Sequence, residues 1–425
     1  MTDTNQVFVN GPINAIRLEG NVNGIDKTIY LFGDYHEDVV YQSKCPSFMS
    51  DDFPKYFIKT IKKSINKNIK YDFFFETGKT SLDSYNKDNE TNDKTKDDKN
   101  DDKNDDKKVK REFKKKYIHE IDELFGNSIN IVNKKNIGSK TDVNLRLHHI
   151  DFRDEIYTNY IFNDMNNILY MVNTMYKNVE YDESYISEIL KKYNLILDEI
   201  LFVKYLINAL INNKPIEKQK NIDEKKFNIY IKIFIKLFDK FNNENIKKSL
   251  FDNSILITLI NNNINSIITM IEEIILLIQN INKTIIYYYM LNTNTFSYGN
   301  DDNNIIHNLS LLYISSKNIS GKIISLYAQI IDIYCLKRIL DKSFVTNAIV
   351  YTGMLHTTHY LVMLIKQFNF KITHISYSNI DIKKLQKTIE KNTYKTSIFE
   401  NTAIYIWQPI FSQCCDMTSF PKFFL

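Results

Sequence analysis

Arginine and cysteine are among the scarce residues of this chain, and each scarcity excludes something. The arginines are Arg17, Arg111, Arg146, Arg153 and Arg338, so nearly all basic residues among the 55 Lys+Arg are lysines, and the net charge is only +4. Without a basic excess or base-reading arginines, no nucleic-acid partner is expected. The four cysteines, Cys45, Cys335, Cys414 and Cys415, are irregularly spaced, and the adjacent last two cannot easily bridge to each other. That pattern fits a reduced, intracellular protein, in the cytoplasm or, for a viral chain, in host cytoplasm or virion. The first residues, Met1 to Asn5, lack the charged and apolar parts of a signal peptide. No long apolar run is present either. The most apolar stretch, Ile255 to Leu291, is broken by Asn261-Asn262-Asn263 and Glu272-Glu273. It reads as an amphipathic buried helix or pair, so no membrane partner is expected. Missing too are G-x-S-x-G, the P-loop, G-x-G-x-x-G, H-E-x-x-H and C-x-x-C, which argues against a serine hydrolase, an NTPase, a Rossmann dehydrogenase, a zincin and a zinc finger.

What is present is a globular composition, 43% hydrophobic and 25% charged, in a chain long enough for two or three domains. Asn, Ile, Lys and Tyr crowd it at the expense of Gly, Pro, Ala and Arg. These are residues favoured by an AT-rich genome, which points to a protist or a large DNA virus and says nothing about chemistry.

Apolar alternation predicts strands at 7–9, 15–19 and 28–32, with Asn23-Gly24 as a hairpin signal between the last two. Asp51-Asp52 opens a helix with an apolar stripe of Phe53, Tyr56, Phe57, Ile61 and Ile65, and a strand follows at 71–76. Strand, helix and strand in so short a span form a βαβ unit. Residues 83–109 are a Lys/Asp/Asn run that cannot bury anything and is expected to be a disordered insertion. A helix at 110–125 and a strand at 145–151 follow. Helices are expected at 154–178, 182–213, 223–242, 245–292 (broken near 262) and 303–341. The core resumes with a strand at 347–352, a helix at 355–368, a strand at 370–377, a helix at 381–391 and an edge strand at 404–407. The expected fold is therefore α/β, a mostly parallel sheet core with flanking helices and a large all-α insertion. Residues 1–155 and 342–425 would form the core and 156–341 the insertion.

Two copies of Gly-x-x-His follow apolar strands: Gly33-Asp34-Tyr35-His36 and Gly353-Met354-Leu355-His356. With 10 Gly and 8 His in 425 residues, chance supplies about 0.2 such pairs, so two with strands before them point to a shared purpose. Glycine permits a tight turn and close backbone approach, and histidine ligates metals or moves protons near neutral pH. In open α/β sheets such residues gather past the carboxyl ends of strands. The ends here carry His36, then Glu76, then Asp151 with Arg153, then His356 with His359. Two imidazoles and a carboxylate at one sheet edge suit a divalent metal (Mn, Co or Zn) with an open position, or activation of water directly. His36, Glu76 and His356 are the candidate catalytic and metal-binding residues. Asp34 is either a further ligand or a turn-closing residue, and His359 is a further ligand or part of the helix interior. Arg153 is a clamp for an anion or oxyanion, or the ion-pair partner of Asp151 or Asp154. Of His148 and His149 on one strand, only one side chain can face the site, and a core role is favoured.

At Gly33, His36, Glu76, Arg153, Gly353 and His356 the chain resembles the TIKI/TraB and erythromycin-esterase/ChaN-like superfamily. The resemblance spans roughly residues 28–155 and 345–378 and implies a cleft built from both motifs. Its relatives include metal-dependent peptidases, cyclic-ester hydrolases and a haem-binding branch, so it implies a site more than a substrate. The expectation is a hydrolase of ester or peptide bonds acting on a small molecule or peptide. The alternatives are a non-catalytic metal- or haem-binding protein and a structural or virion protein that retains the fold.

Overall fold

The computed structural model describes residues 6–36, 45, 50–64, 69–76, 118, 121, 129–132, 135–139, 145–151, 161–178, 182–238, 241–252, 254–291, 301–392, 397–408 and 413–424. The chain divides into two compact units, one of residues 1–152 with 334–425 and the other of residues 153–333.

The first unit is built on a six-stranded sheet. Its strands are β2 (Asn14–Val22), β3 (Ile25–Asp34), β5 (Tyr71–Phe75), β8 (Leu145–His149), β9 (Asn347–Gly353) and β10 (Lys371–Ile375), in the spatial order β10-β2-β3-β9-β5-β8. From β3 through β9 and β5 to β8 the strands are parallel, and β2 and β10 extend one side antiparallel. Asn23-Gly24 turns β2 into β3, and Gly24 has φ 81, the left-handed conformation for which glycine is suited. The parallel strands β3, β9 and β5 are largely buried on both faces, which is why they read as apolar runs, whereas the edge strand β8 alternates. On one face Tyr30, Phe32, Phe73, Phe75, Ile349 and Tyr351 pack with Phe53 and Phe57 of α1 (Phe53–Ser64). On the other lies α8 (Met354–Phe368), against β2, β3 and β9. It is flanked by α9 (Ile382–Lys391) and α10 (Ile398–Ile406). A small sheet joins β1 (Phe8–Asn10) to β4 (Asp51–Asp52) and β11 (Cys414–Asp416), and a hairpin pairs β6 (Ile129–Val132) with β7 (Lys135–Ser139).

The second unit is helical: α2 (Ile161–Asn178), α3 (Glu183–Ile211), α4 (Glu224–Phe238), α5 (Glu244–Phe251), α6 (Ile255–Leu291) and most of α7 (Asp301–Leu340). Asp182 and Asn243 cap α3 and α5 by accepting from backbone N–H groups of the first turn. Buried Ile189, Tyr193, Ile196, Ile200 and Val203 give α3 its apolar stripe. At its centre Glu199 accepts from Lys226 Nζ at 2.9 Å and from the Tyr230 hydroxyl, which also meets the Tyr327 hydroxyl at 2.8 Å. Among the described residues no single helix is long and apolar enough to cross a membrane. The bent pair of α5 and residues 255–280 of α6 would pass by length and composition alone.

Several expectations are corrected. Residues 404–407 are not an edge strand; they close α10, because Phe399, Thr402 and Ile406 recur at helical spacing on its buried side. The helix expected over 245–292 breaks at 252–254, not near 262. The asparagine run lies inside continuous α6, where Asn263 Nδ2 donates to Lys322 O at 3.1 Å and so satisfies a polar side chain in the interior. Asp51 and Asp52 pair with β1 instead of opening the helix, and Asp51 receives Lys55 and Lys59. The cysteines are not all reduced: Cys45 and Cys414 form a disulfide, with Cys415 and Cys335 free and buried. Pairing of β11 with β1 is what brings Cys414 to Cys45, whose backbone N–H is held by Asn10 Oδ1 at 2.7 Å. Residues 83–109 and most of 110–125 lie outside the described residues; Ile118 and Ile121 of that stretch are helical and buried.

Candidate functional site

The register of the parallel strands assembles the site. Asp34 at the end of β3 pairs with Gly353 at the end of β9, and Phe75 of β5 pairs with Tyr351. His36 therefore lies two residues beyond one strand and Glu76 one residue beyond the next. His356 occupies the first turn of α8, which leaves β9 directly through Gly353. Three side chains 40 and 320 residues apart in sequence meet at one sheet edge.

The Glu76 carboxylate is shared. Its Oε2 lies 3.2 Å from His36 Nε2 and accepts the Gly353 N–H at 2.8 Å, and its Oε1 lies 3.0 Å from His356 Nε2. Gly353 is the N-cap of α8, so the carboxylate also occupies the positive end of that helix. Both motif glycines are closely approached, Gly33 prohibitively and Gly353 tightly. A methyl on Gly353 would stand 3.1 Å from His36 Nε2, and one on Gly33 would fall inside the Met354 sulfur.

His36 has φ 56, in the left-handed region that costs a non-glycine residue about 1–2 kcal/mol. Asp34 holds it there. Asp34 Oδ1 accepts the His36 backbone N–H at 3.0 Å, its Oδ2 accepts the Tyr351 hydroxyl at 3.1 Å, and that same oxygen lies 3.5 Å from His36 Nδ1. The ring thus stands between two carboxylates. Burial disfavours its charged form, but Glu76 and Asp34 outweigh burial and raise its pKa to about 9. Burial likewise opposes ionisation of Glu76, but His356 and His36 hold its carboxyl well below the usual range. Only His36 has substantial solvent access, with 27% of its side chain exposed against 5% for Glu76 and His356.

The structure therefore brings His36, Glu76 and His356 together, with Asp34 against the far side of the His36 ring. Asp34 sits behind His36, on the Nδ1 side, so it cannot share an ion bound at Nε2; its part is to close the turn and face the ring. His359 places its ring edge-on to Phe399 of α10, 4.6 Å between centroids, in the interior. Among the described residues no group of three or more His, Cys, Asp or Glu side chains is arranged to hold a metal ion. Arg153 lies outside the described residues. His148 belongs to a different cluster. Its Nε2 meets Asp72 Oδ1 at 2.7 Å, Arg146 grips Asp72 with two bonds of 2.7 and 2.6 Å, and Arg338 Nη2 donates to His148 Nδ1 at 2.9 Å. An arginine donor fixes Nδ1 as the acceptor, so His148 is a neutral ring with its proton on Nε2, consistent with a lowered pKa caused first by burial. Sequence reasoning named Asp34 as a turn-closing alternative, which it is, but missed its partner Tyr351. The signal available was Asp34 itself, a carboxylate at the end of an otherwise apolar strand.

A family model described as a family of unknown function, DUF5847, matches residues 7–425. Three proteins of Acanthamoeba polyphaga mimivirus are similar along almost their whole length. Uncharacterized protein R706 is 33% identical over 99% of this chain and 98% of its own. Uncharacterized proteins R161 and R160 are 29% and 28% identical, covering 99% and 100% of this chain and 99% and 98% of their own. No solved structure matches the chain. These findings overturn the resemblance to the TIKI/TraB and erythromycin-esterase/ChaN-like superfamily: the match over nearly the full chain is to another family, and two four-residue motifs were too short to carry that assignment. Relatives from a large DNA virus agree with the AT-rich composition.

Proposed function

The chain belongs to the family of unknown function DUF5847, and we propose that it is a hydrolase of ester or peptide bonds using His36, Glu76 and His356. One observation carries the reading: a single buried carboxylate divided between two imidazoles, one oxygen to each, at 3.2 and 3.0 Å. The strained backbone of His36 and the partial exposure of its ring at the carboxyl ends of the strands distinguish this cluster from the structural ion pairs of Asp72 and support a functional site.

His36 meets the substrate, being the solvent-accessible member. With a pKa near 9 it is an imidazolium at neutral pH, so its Nε2–H, shifting from Glu76 to the substrate, donates to the carbonyl oxygen as charge develops and then passes to the leaving group; the water proton held by His356 returns through solvent to recharge His36. Glu76, held strongly ionised, is a weak base; its part is to keep His36 charged and to orient both rings. His356, oriented by Glu76 as a carboxylate orients a catalytic imidazole, takes the proton of the attacking water. As arranged, with each Nε2 turned to the carboxylate, these three side chains do not form a metal site; to hold a divalent ion (Mn, Co or Zn) they would have to rearrange and lose the Nε2 protons, and the ion would then supply a Lewis acid.

The test is a panel of 4-nitrophenyl esters and fluorogenic peptides, assayed after EDTA and after adding Mn, Co or Zn, with His36→Ala and His356→Ala as controls. Turnover reduced about 10²–10⁴-fold in both variants is expected. Activity that survives EDTA assigns the direct His/Glu route, and activity restored only by metal assigns the ligand role. No turnover under any condition, or turnover unchanged in both variants, overturns the proposal.

A further inference from the structure

The edge of the site is apolar in a way the fold does not require. From Met354 to Ile365 helix α8 is buried at every position but one, and that one is Leu355, 42% exposed and adjacent to His356. An exposed first-turn position would ordinarily hold a polar residue. Two half-buried aromatic rings, fixed by hydrogen bonds, reach the same helix and the His36 loop. The Trp407 indole N–H donates to Thr358 Oγ1 at 3.0 Å, one turn along from Leu355 on the same face of α8. Tyr35, the residue before His36, meets the Trp407 ring edge-on at 6.0 Å, and its hydroxyl donates to Gln408 O at 3.3 Å. Tyr35 and Leu355 are thus chain neighbours of the two site histidines, and Trp407 links the Tyr35 ring to Thr358 of α8, one turn from Leu355.

We propose that Leu355, Tyr35 and Trp407 form the subsite for an apolar, preferably aromatic, group on the acyl side of the substrate carbonyl. This rests on the hydrolase reading for its chemistry but not for its readout. Fixed aromatic rings give contact area at little entropic loss, and a Leu beside them offers no hydrogen bond, so polar or charged acyl groups are not favoured there. The carbonyl then lies over His36, and the apolar group points away from Glu76.

Trp407 is the only tryptophan, so its emission reports the subsite directly. The experiment titrates the full-length protein with acetamide, butanamide and phenylacetamide, uncleaved carbonyl probes of growing apolar size. Saturable quenching or a shift with phenylacetamide, at least about tenfold tighter than with acetamide, is expected. Leu355→Ser, at an exposed position, weakens phenylacetamide binding about fivefold or more while the circular dichroism spectrum is unchanged. Where esters are turned over, kcat/KM rises about tenfold or more from 4-nitrophenyl acetate to the phenylacetate ester. Equal affinity for all three amides, or no saturable response to any, overturns the subsite. Ester turnover with no acyl preference also overturns it and leaves the hydrolase standing. Selective phenylacetamide binding without any turnover upholds the subsite and removes the hydrolase.

Discussion

Replacing Glu76 by glutamine removes the charge between the two imidazoles while nearly preserving shape. A neutral amide offers one acceptor where two rings and a backbone N–H now converge, so at least one donor loses its partner. The size follows from His36. Its rise from the ordinary 6.5 to about 9 corresponds to about 3 kcal/mol of stabilisation of the charged ring. Because the folded-state value is raised, that stabilisation is fully present below pH 6.5 and is lost as pH rises through about 9. Glu76, shifted the opposite way, loses its contribution as pH falls below its ordinary 4.5. Both shifts describe one shared interaction and are not added. Asp34 stays beside the ring, so Glu76→Gln should destabilise the α/β unit by up to about 3 kcal/mol at pH 6 and by less than about 1 kcal/mol at pH 10. Urea unfolding followed by Trp407 emission measures both. A loss of equal size at the two pH values would refute the charge-sharing argument and leave only a packing defect.

The two motif glycines should separate stability from activity. Gly33→Ala overlaps the Met354 sulfur and lies 3.1 Å from Thr357 Oγ1, so a thermal melt should record a loss of about 1–3 kcal/mol. Gly353→Ala presses on His36 Nε2 and Glu76 Oε2 and should lower ester turnover with a much smaller change in melting. Asp72→Asn, at a fully buried carboxylate gripped by Arg146 and His148, should cost about 3–5 kcal/mol in a melt while any turnover at a permissive temperature persists. Cys45→Ser should lower the unfolding midpoint. A bridge across 369 residues has a chain-entropy bound of about 6 kcal/mol, and alkylation of both thiols in the unreduced native protein would deny the bridge altogether.

Strands were legible where burial on both faces leaves a continuous apolar run, as in Ile29 to Phe32 and Ala348 to Thr352, and the long helices were legible from their periodic stripes. The errors fell where short range and long range disagree. Ile404 to Trp407 has the β-branched and aromatic look of a strand, but packing on α8 decides for helix. Asn261 to Asn263 looks like a break, but Asn263 finds the Lys322 carbonyl across the bundle. The disulfide depends on β11 pairing with β1, a contact between the two ends of the chain that no local pattern announces. For the site, spacing after strands picked out His36, Glu76 and His356, since a parallel sheet sends every strand end to one edge. It could not rank Asp34 and His359, because which side of a ring a carboxylate faces, and what a helical histidine packs on, are set by tertiary contacts.

The most direct measurement is a long-range ¹H–¹⁵N titration of the histidine rings in the intact protein. His36, bracketed by Glu76 and Asp34, should stay protonated through neutrality and titrate near 9. Titration of His36 near its ordinary 6.5 would mean that the carboxylate is not shared, and the account of the site would fail.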